Sequence, residues 1–223
     1  MRGVRRAPVV AVLVLLALVG CGEDEPARRS GHDPIVFVHG LGGGPGGWDV
    51  MRDRFAADGW TGDELRRFSY DSSRSNVRTA QLLRDEVDDL LRDTGARRVD
   101  VITHSMGGLS SRWWLKRLGG TAKVDAWVSL GGPNHGLDRA LCDAVSCAEM
   151  RAGSPFERAL NAGDETPGRV RYGTWWSRCD EIIRPVRSTP LRGARNTRTA
   201  CLDHNALTTD ATVYAEVRDF VDG

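Results

Sequence analysis

Short apolar runs alternate with longer amphipathic stretches along most of the chain. The run 34–40, PIVFVHG, is continuous and follows a proline, which is typical of a strand buried on both faces. Over 76–94 the apolar side chains recur every three or four residues, and Gly95 follows as a stop signal. This segment is therefore predicted to be an amphipathic helix.

The same alternation continues to the end of the chain. It predicts strands at 66–70, 99–103, 124–130 and 169–176, and helices at 106–118 and 210–221. The segment 136–168 has no clear period, and we place it as loops and short helices over one end of the sheet. Strands that alternate with helices need crossover connections. The pattern thus predicts one α/β domain, 34–223, with a mostly parallel sheet and helices on both faces.

The first 33 residues carry a different pattern. A basic start is followed by an apolar run of 14 residues, 7–20, which is short for a membrane span of about 20 residues and typical of a signal peptide. LVGC at 18–21 resembles a bacterial lipobox, so 1–21 is predicted to be a lipoprotein signal with Cys21 lipidated, and 22–33 a polar tether. The protein would then be held outside the cytoplasm at the cell membrane. The alternative is an ordinary secretory signal and a secreted protein.

Four further cysteines follow, Cys142, Cys147, Cys179 and Cys201. An even number in an exported chain favours two disulfides, with three possible pairings. A zinc site is the alternative, but the paired C-x-x-C spacing is missing. We predict a local Cys142–Cys147 bridge and a Cys179–Cys201 bridge.

Composition and charge narrow the range of functions. A chain of 223 residues with 40% hydrophobic side chains is long enough to bury a core. The formal net charge of +1 lacks the basic field that nucleic-acid binding needs. We expect no nucleic-acid partner, and we expect a monomer.

The stretch VDVITHSMGG, 99–108, joins a strand to a helix through a sharp turn at Ser105. At this position backbone N–H groups are free and the helix dipole favours negative charge, which suits a nucleophile. Gly107 and Gly108 are small downstream neighbours, whereas Thr103 stands where G-x-S-x-G has its first glycine. The alternative is a serine in an ordinary turn.

THSMGG at 103–108, together with PIVFVHGLGGGPGGW at 34–48 and GGPNHG at 131–136, resembles the α/β-hydrolase superfamily. Within it, the chain is most similar to the small lidless bacterial lipases, whose elbow, A-H-S-M-G, also begins with a residue other than glycine. The resemblance covers the chain from about residue 34 to its end. It implies an α/β-hydrolase fold and a serine ester hydrolase that cleaves acyl esters of lipids through an acyl-enzyme, with no metal and no cofactor.

The superfamily orders its triad as serine, acid, histidine. His204 lies just before the last helix, where the family's histidine loop falls, and is assigned as the base, with His135 as its rival. Asp180 follows a late strand, where the small lipases have a turn ending in aspartate, and Glu181 is the next candidate. A Cys179–Cys201 bridge would pin the acid loop to the base loop.

The remaining histidines receive no catalytic role: His32 precedes the fold, His39 is structural by resemblance, and His104 is expected to point away from the site. An oxyanion hole requires two backbone amides. We assign that of Met106, which follows the nucleophile, and by resemblance that of Leu41.

Two other functions remain open. One is an envelope-lipid acyltransferase that uses the same triad but passes the acyl group to an alcohol. The other is an inactive, lipid-anchored binding protein on a hydrolase fold. The intact set of Ser105, Asp180 and His204 argues against the second.

Overall fold

Six parallel strands form one sheet in the computed structural model, which describes residues 30–139 and 141–223. The strands are β1 (Ile35–Val38), β2 (Leu65–Phe68), β3 (Val99–His104), β4 (Val124–Leu130), β5 (Arg171–Trp176) and β6 (Arg195–Arg198). Their order across the sheet is β2-β1-β3-β4-β5-β6. The order reverses between β1 and β3, and open α/β sheets bind ligands at such a point, outside the carboxyl ends of the strands.

Helices cover both faces of this sheet. They are α1 (Asp49–Ala57), α2 (Asn76–Thr94), α3 (Gly107–Arg117), α4 (Val145–Glu149), α5 (Pro155–Asn161) and α6 (Ala211–Val221). Helices α1 and α6 pack on one face and α2 and α3 on the other. The short helices α4 and α5 lie in the segment predicted to contain loops and short helices.

Alternation along each strand divides the core between the two faces. In β1, Ile35 and Phe37 join the cluster under α1 and α6, whereas Val36 and Val38 join the cluster under α2 and α3. A third apolar cluster, built on Met106 and on residues of α4 and α5, lies beyond the carboxyl end of the sheet. The predicted α/β architecture is confirmed.

Two elements escaped prediction because their sequences carry little apolar signal. Helix α1, DVMRDRFAA, buries only Met51 and Phe55. Strand β6, RNTR, has no apolar residue, and its Asn196 supplies the stabilising contacts instead. Asn196 accepts a hydrogen bond from Thr174 Oγ1 at 2.8 Å, and its Nδ2 donates to the carbonyl of Leu191 at 2.8 Å.

The predicted signal peptide, the lipidation site at Cys21 and most of the tether lie outside the described residues. The last four residues of the predicted tether, 30–33, are described and contact the domain. The ring of His32 stacks on Trp60 at 3.8 Å, and its Nδ1 lies 2.8 Å from Asp222. Trp60 also donates its indole N–H to the carbonyl of Asp33. In the described part of the chain, none of the helices has the length and apolar character to cross a membrane.

Candidate active site

Ser105 occupies a strained corner between β3 and α3. Its φ of 55° makes it the sole non-glycine residue in the left-handed region among those described, and such strain is characteristic of functional turns. The corner is packed tightly against the end of β1. A Cβ added to Gly107 would lie 2.6 Å from the carbonyl oxygen of His39, and one added to Gly40 would lie 2.7 Å from Ser105 Cβ.

Thr103 packs beside this corner against the neighbouring strand β4. Its side chain is fully buried and donates a hydrogen bond from Oγ1 to the carbonyl of Val128 on β4 at 2.8 Å. A Cβ added to Gly108 would lie 3.5 Å from that Oγ1. This is an ordinary contact distance, so the threonine hydroxyl and the Gly-Gly pair fit side by side.

Asp180 and His204 form a buried pair at the same edge of the sheet. His204 Nδ1 lies 2.8 Å from Asp180 Oδ2, and Asp180 Oδ1 accepts the amides of Ile182 and Ile183 at 2.9 and 2.8 Å. Burial acts to raise the pKa of Asp180, but the hydrogen bond and charge of His204 and the two amides outweigh it, so its pKa lies below the usual value. An ionised carboxylate fixes the proton of His204 on Nδ1 and leaves Nε2 as the basic nitrogen.

The main chain of His204 is held from both sides. The side chain of Glu181, the second acid candidate, accepts the His204 amide at 2.9 Å. His104 Nε2 lies 3.1 Å from the His204 carbonyl and must donate to it, and the two rings are 4.4 Å apart. Burial, and then the charge of His204, lower the pKa of His104 to about 3, so this ring is neutral. The expectation that His104 points away is wrong; only its adjacency to Ser105 hinted at this contact.

The rival base, His135, is engaged elsewhere. Its ring nitrogens lie 3.1 Å from the carbonyl of Ser188 and 3.4 Å from Glu165, on a loop that does not line the cavity containing Ser105. His39 supports the turn after β1 instead. It donates from Nδ1 to the carbonyl of Gly40 at 2.8 Å and stacks on Tyr70.

The two backbone amides predicted to form an oxyanion hole lie in turns at the switch point of the sheet. Leu41 follows β1 directly in a turn closed by the hydrogen bond from Gly43 N to Gly40 O, and Met106 begins the turn into α3. Among the described residues, neither amide finds an acceptor outside the regular helices and strands. An amide without such an acceptor is a candidate hydrogen-bond donor to a ligand, so the assignment of Leu41 and Met106 to an oxyanion hole stays a prediction.

Both predicted cysteine pairings are present in the structure. Cys179–Cys201 has a Cα–Cα distance of 5.1 Å and Cys142–Cys147 one of 5.6 Å. The pairing leaves none of the four thiolates for the zinc alternative. Ser177 supports the first bridge, because its Oγ accepts the amide of Cys179 at 3.0 Å and that of Leu202 at 2.9 Å. The loops that carry the acid and the histidine are therefore joined covalently and by hydrogen bonds.

Ser105 and His204 line one cavity of about 780 Å³ at the carboxyl edge of the sheet. This volume suits a small organic ligand or part of a lipid. Residues 32–216 match the family described as Lipase (class 2). The chain belongs to the class 2 lipase family. Membership supports a carboxylic ester hydrolase that acts on a lipid or another ester.

Solved structures share the fold of this class 2 lipase. Mature lipase BlEst2 of Bacillus licheniformis is similar at a TM-score of 0.75 and 17% identity, with 90% of this chain and 96% of that chain covered. Lipase B of Aspergillus fumigatus is similar at a TM-score of 0.71 and 18% identity, with 87% and 54% covered. This chain spans about half the length of the fungal enzyme and nearly all of the bacterial one. At these identities the likeness concerns the fold alone.

The Cys179–Cys201 bridge of this class 2 lipase is expected to contribute to catalytic activity as well as to stability. Replacing both cysteines with serine frees the loops of Asp180 and His204, and a misplacement of about 1 Å costs on the order of 10²-fold in rate. The two cysteines are 22 residues apart in the sequence. In the chain-entropy model, loss of the bridge therefore also removes roughly 3 kcal/mol of stability. We expect kcat/KM to fall at temperatures where circular dichroism shows the variant fully folded.

The matched control is the double serine variant of Cys142 and Cys147, which removes a bridge outside the acid and histidine loops. It is expected to lose stability with a smaller loss of kcat/KM. A Cys179/Cys201 variant that is less stable but retains wild-type kcat/KM while folded would show that the bridge has a structural role only.

Proposed function

We propose that this chain hydrolyses acyl esters of lipids through an acyl-enzyme on Ser105. The observation that carries the proposal is the buried Asp180–His204 pair at 2.8 Å, whose histidine lines the same cavity as a strained, positive-φ serine. A serine hydroxyl needs a base to take its proton and a third group to orient that base. The arrangement supports these roles for His204 as the base and Asp180 as the orienting group.

In the proposed reaction, His204 Nε2 takes the proton of Ser105 as Oγ attacks the ester carbonyl. The amides of Leu41 and Met106 bind the tetrahedral oxyanion. They stabilise the negative charge that develops on the carbonyl oxygen of the ester in the transition state. His204 then gives its proton to the departing alcohol, and the acyl group remains on Ser105. Water, activated by the same histidine, releases the fatty acid and restores the serine. Asp180 stabilises the imidazolium in both steps.

Covalent labelling and product analysis together test this function. A fluorophosphonate probe should label the wild-type protein in a 1:1 ratio, and emulsified triacylglycerol or p-nitrophenyl esters should yield free fatty acid. If added alcohol or lipid acceptors divert most of the acyl group into new esters, the chain is an acyltransferase. A protein that neither reacts with the probe nor releases fatty acid would be a binding protein on a hydrolase fold.

We further propose that the chain is exported and anchored through a lipidated Cys21. The lipobox-like LVGC at 18–21 and the two disulfides of the folded domain support this, because disulfides persist in oxidising compartments. Lipid chains contribute about 0.8 kcal/mol per buried methylene, so two or more chains hold a protein at a membrane stably.

The anchor predicts a result that needs no enzyme assay. Radiolabelled fatty acid should enter the wild-type protein, which should fractionate with membranes, whereas Cys21→Ala should take up no label. Because Cys21 lies outside the folded domain, the substitution leaves the sequence of that domain the same in both proteins. Equal labelling of both proteins would contradict lipidation at this site.

A further inference from the structure

The two sides of the cavity around Ser105 differ in chemistry. One side is apolar: Leu41, Leu141 and Ile182 line it and pack against the third core cluster beyond the carboxyl end of the sheet. All three side chains are partly exposed to the cavity. A hydrocarbon chain laid along them would bury apolar area at a gain of about 25 cal/mol per Å². We call this the apolar side.

The rest of the lining carries few large side chains, and several of those are polar. It includes the glycine-rich turn 43–47 and the segment 205–209 before α6. The two segments are tied together, since Arg54 of α1, the helix after the glycine turn, donates to the carbonyls of Thr209 and Asp210 at 2.8 and 3.1 Å. We call this the glycine side.

Three of the four glycines of this side are not required by the local packing; the exception is Gly43, whose added Cβ would lie 3.3 Å from the carbonyl oxygen of Gly40. A Cβ on Gly44 or Gly47 would meet no atom within 4 Å, and one on Gly46 would lie 3.8 Å from Asp49 Oδ2. Gly44 has an extended φ of −164°, which any residue adopts. The lack of side chains therefore leaves open space in the cavity, bordered by peptide groups that donate and accept hydrogen bonds.

Polar side chains complete the glycine side. Asn205 is exposed, and its side-chain amide makes no hydrogen bond to the described residues. Thr209 is also exposed and lines the same cavity. Three apolar residues also belong to this side: Trp48, which is buried, Ala206, which is half-buried, and Val50, which is 44% exposed. An exposed valine does not form a closed apolar channel. A second or third fatty-acid chain would remain largely in water here, whereas hydroxyl groups would find partners.

We propose that the preferred substrates are esters of one fatty acid with a hydroxyl-rich alcohol, such as a glycerol or sugar monoester. This inference rests on the proposed function, since it takes Ser105 as the acyl acceptor. The acyl chain lies along Leu41, Leu141 and Ile182. The polyol lies against the glycine side, within reach of Asn205 and of the peptide groups of 43–47.

The test keeps the acyl chain constant and varies the alcohol. Octanoate esters of glycerol, glucose, methanol and octanol, and trioctanoin, are compared at monomeric concentrations. We expect kcat/KM for the glycerol and glucose monoesters to exceed that for octyl octanoate at least tenfold. Gly44→Leu and Gly47→Leu, each placed in open space, should lower kcat/KM for the glucose ester about tenfold more than kcat/KM for methyl octanoate.

Leu141→Ala is the control on the other side of the cavity. It should weaken the dependence on acyl-chain length and leave the order of the alcohols unchanged. Equal kcat/KM across the alcohols, a preference for octyl octanoate or trioctanoin, or leucine variants that affect all esters alike would overturn the inference. A wild-type protein that hydrolyses none of these esters and resists the fluorophosphonate would overturn the proposed function itself.

Discussion

Ser105→Ala is expected to lower kcat by about 10⁴- to 10⁶-fold and to abolish labelling by a fluorophosphonate. The alanine keeps the shape of the turn between β3 and α3 but lacks the Oγ that forms the acyl-enzyme. Binding should survive, because the cavity walls and the amides of Leu41 and Met106 are unchanged. The measurement is single-turnover acylation with a chromogenic ester, together with substrate binding by the variant.

A second substitution at the same position separates chemistry from stability. Ser105 has a φ of 55°, a conformation that costs a non-glycine residue of order 1–3 kcal/mol. Ser105→Gly should therefore be inactive and more stable than the wild-type protein in urea unfolding. Ser73→Ala, which removes an exposed hydroxyl from the turn after β2, is the matched control and should retain full activity. If Ser105→Ala still hydrolyses esters at more than about one thousandth of the wild-type rate, another nucleophile does the chemistry.

Apolar periodicity and turn chemistry were sufficient to predict most of the fold. The strand 124–130 was predicted with its observed bounds, because β4 is buried along nearly its whole length and most of its residues are apolar. Helix α2 was equally clear, since Ser75 caps its start and Gly95, with a φ of 65°, ends it. Elements that bury apolar surface can be predicted because their apolar residues form a recognisable pattern in the sequence.

Elements stabilised by polar contacts show no such pattern. Strand β6 depends on the side chain of Asn196, and residues 30–33 are held by a stack of His32 on Trp60. The same reason explains the contacts of His104 and Glu181 with the main chain of His204. The contacts of His104 and Glu181 with His204 join residues that are far apart in the chain. A hydrogen bond to a backbone group places no constraint on sequence spacing. The sequence motif was sufficient to predict the serine, but the contacts that hold the main chain of His204 are visible only in the three-dimensional structure.

Asp180→Asn should lower kcat by about 10⁴-fold in an otherwise folded protein. One carboxylate oxygen accepts the amides of Ile182 and Ile183, and the other accepts the proton of His204 Nδ1. Asparagine has only one oxygen. If it serves the two amides, its NH2 faces Nδ1, which then carries no proton, and Nε2 holds the proton that should come from Ser105. The kcat of purified variant and wild type on one ester measures this effect.

A pH series adds a second readout for Asp180. Its pKa is lower in the folded protein than in the unfolded chain, so the ionised carboxylate contributes stability at pH values above the unfolded pKa of about 3.9. That contribution is lost as the pH falls through the folded-state pKa. The difference in the free energy of unfolding between wild type and Asp180→Asn should therefore be largest near neutral pH and shrink in acid.

Glu181→Gln distinguishes the acid from its neighbour. The Gln carbonyl oxygen is still able to accept the amide of His204, which Glu181 now accepts at 2.9 Å, so kcat should change less than about tenfold. The opposite ranking, with Glu181→Gln inactive and Asp180→Asn active, would make Glu181 the acid and Asp180 a buried structural carboxylate. Because Asp180 is 2% exposed and Glu181 is exposed, solvent screening also favours the former as the group that stabilises an imidazolium.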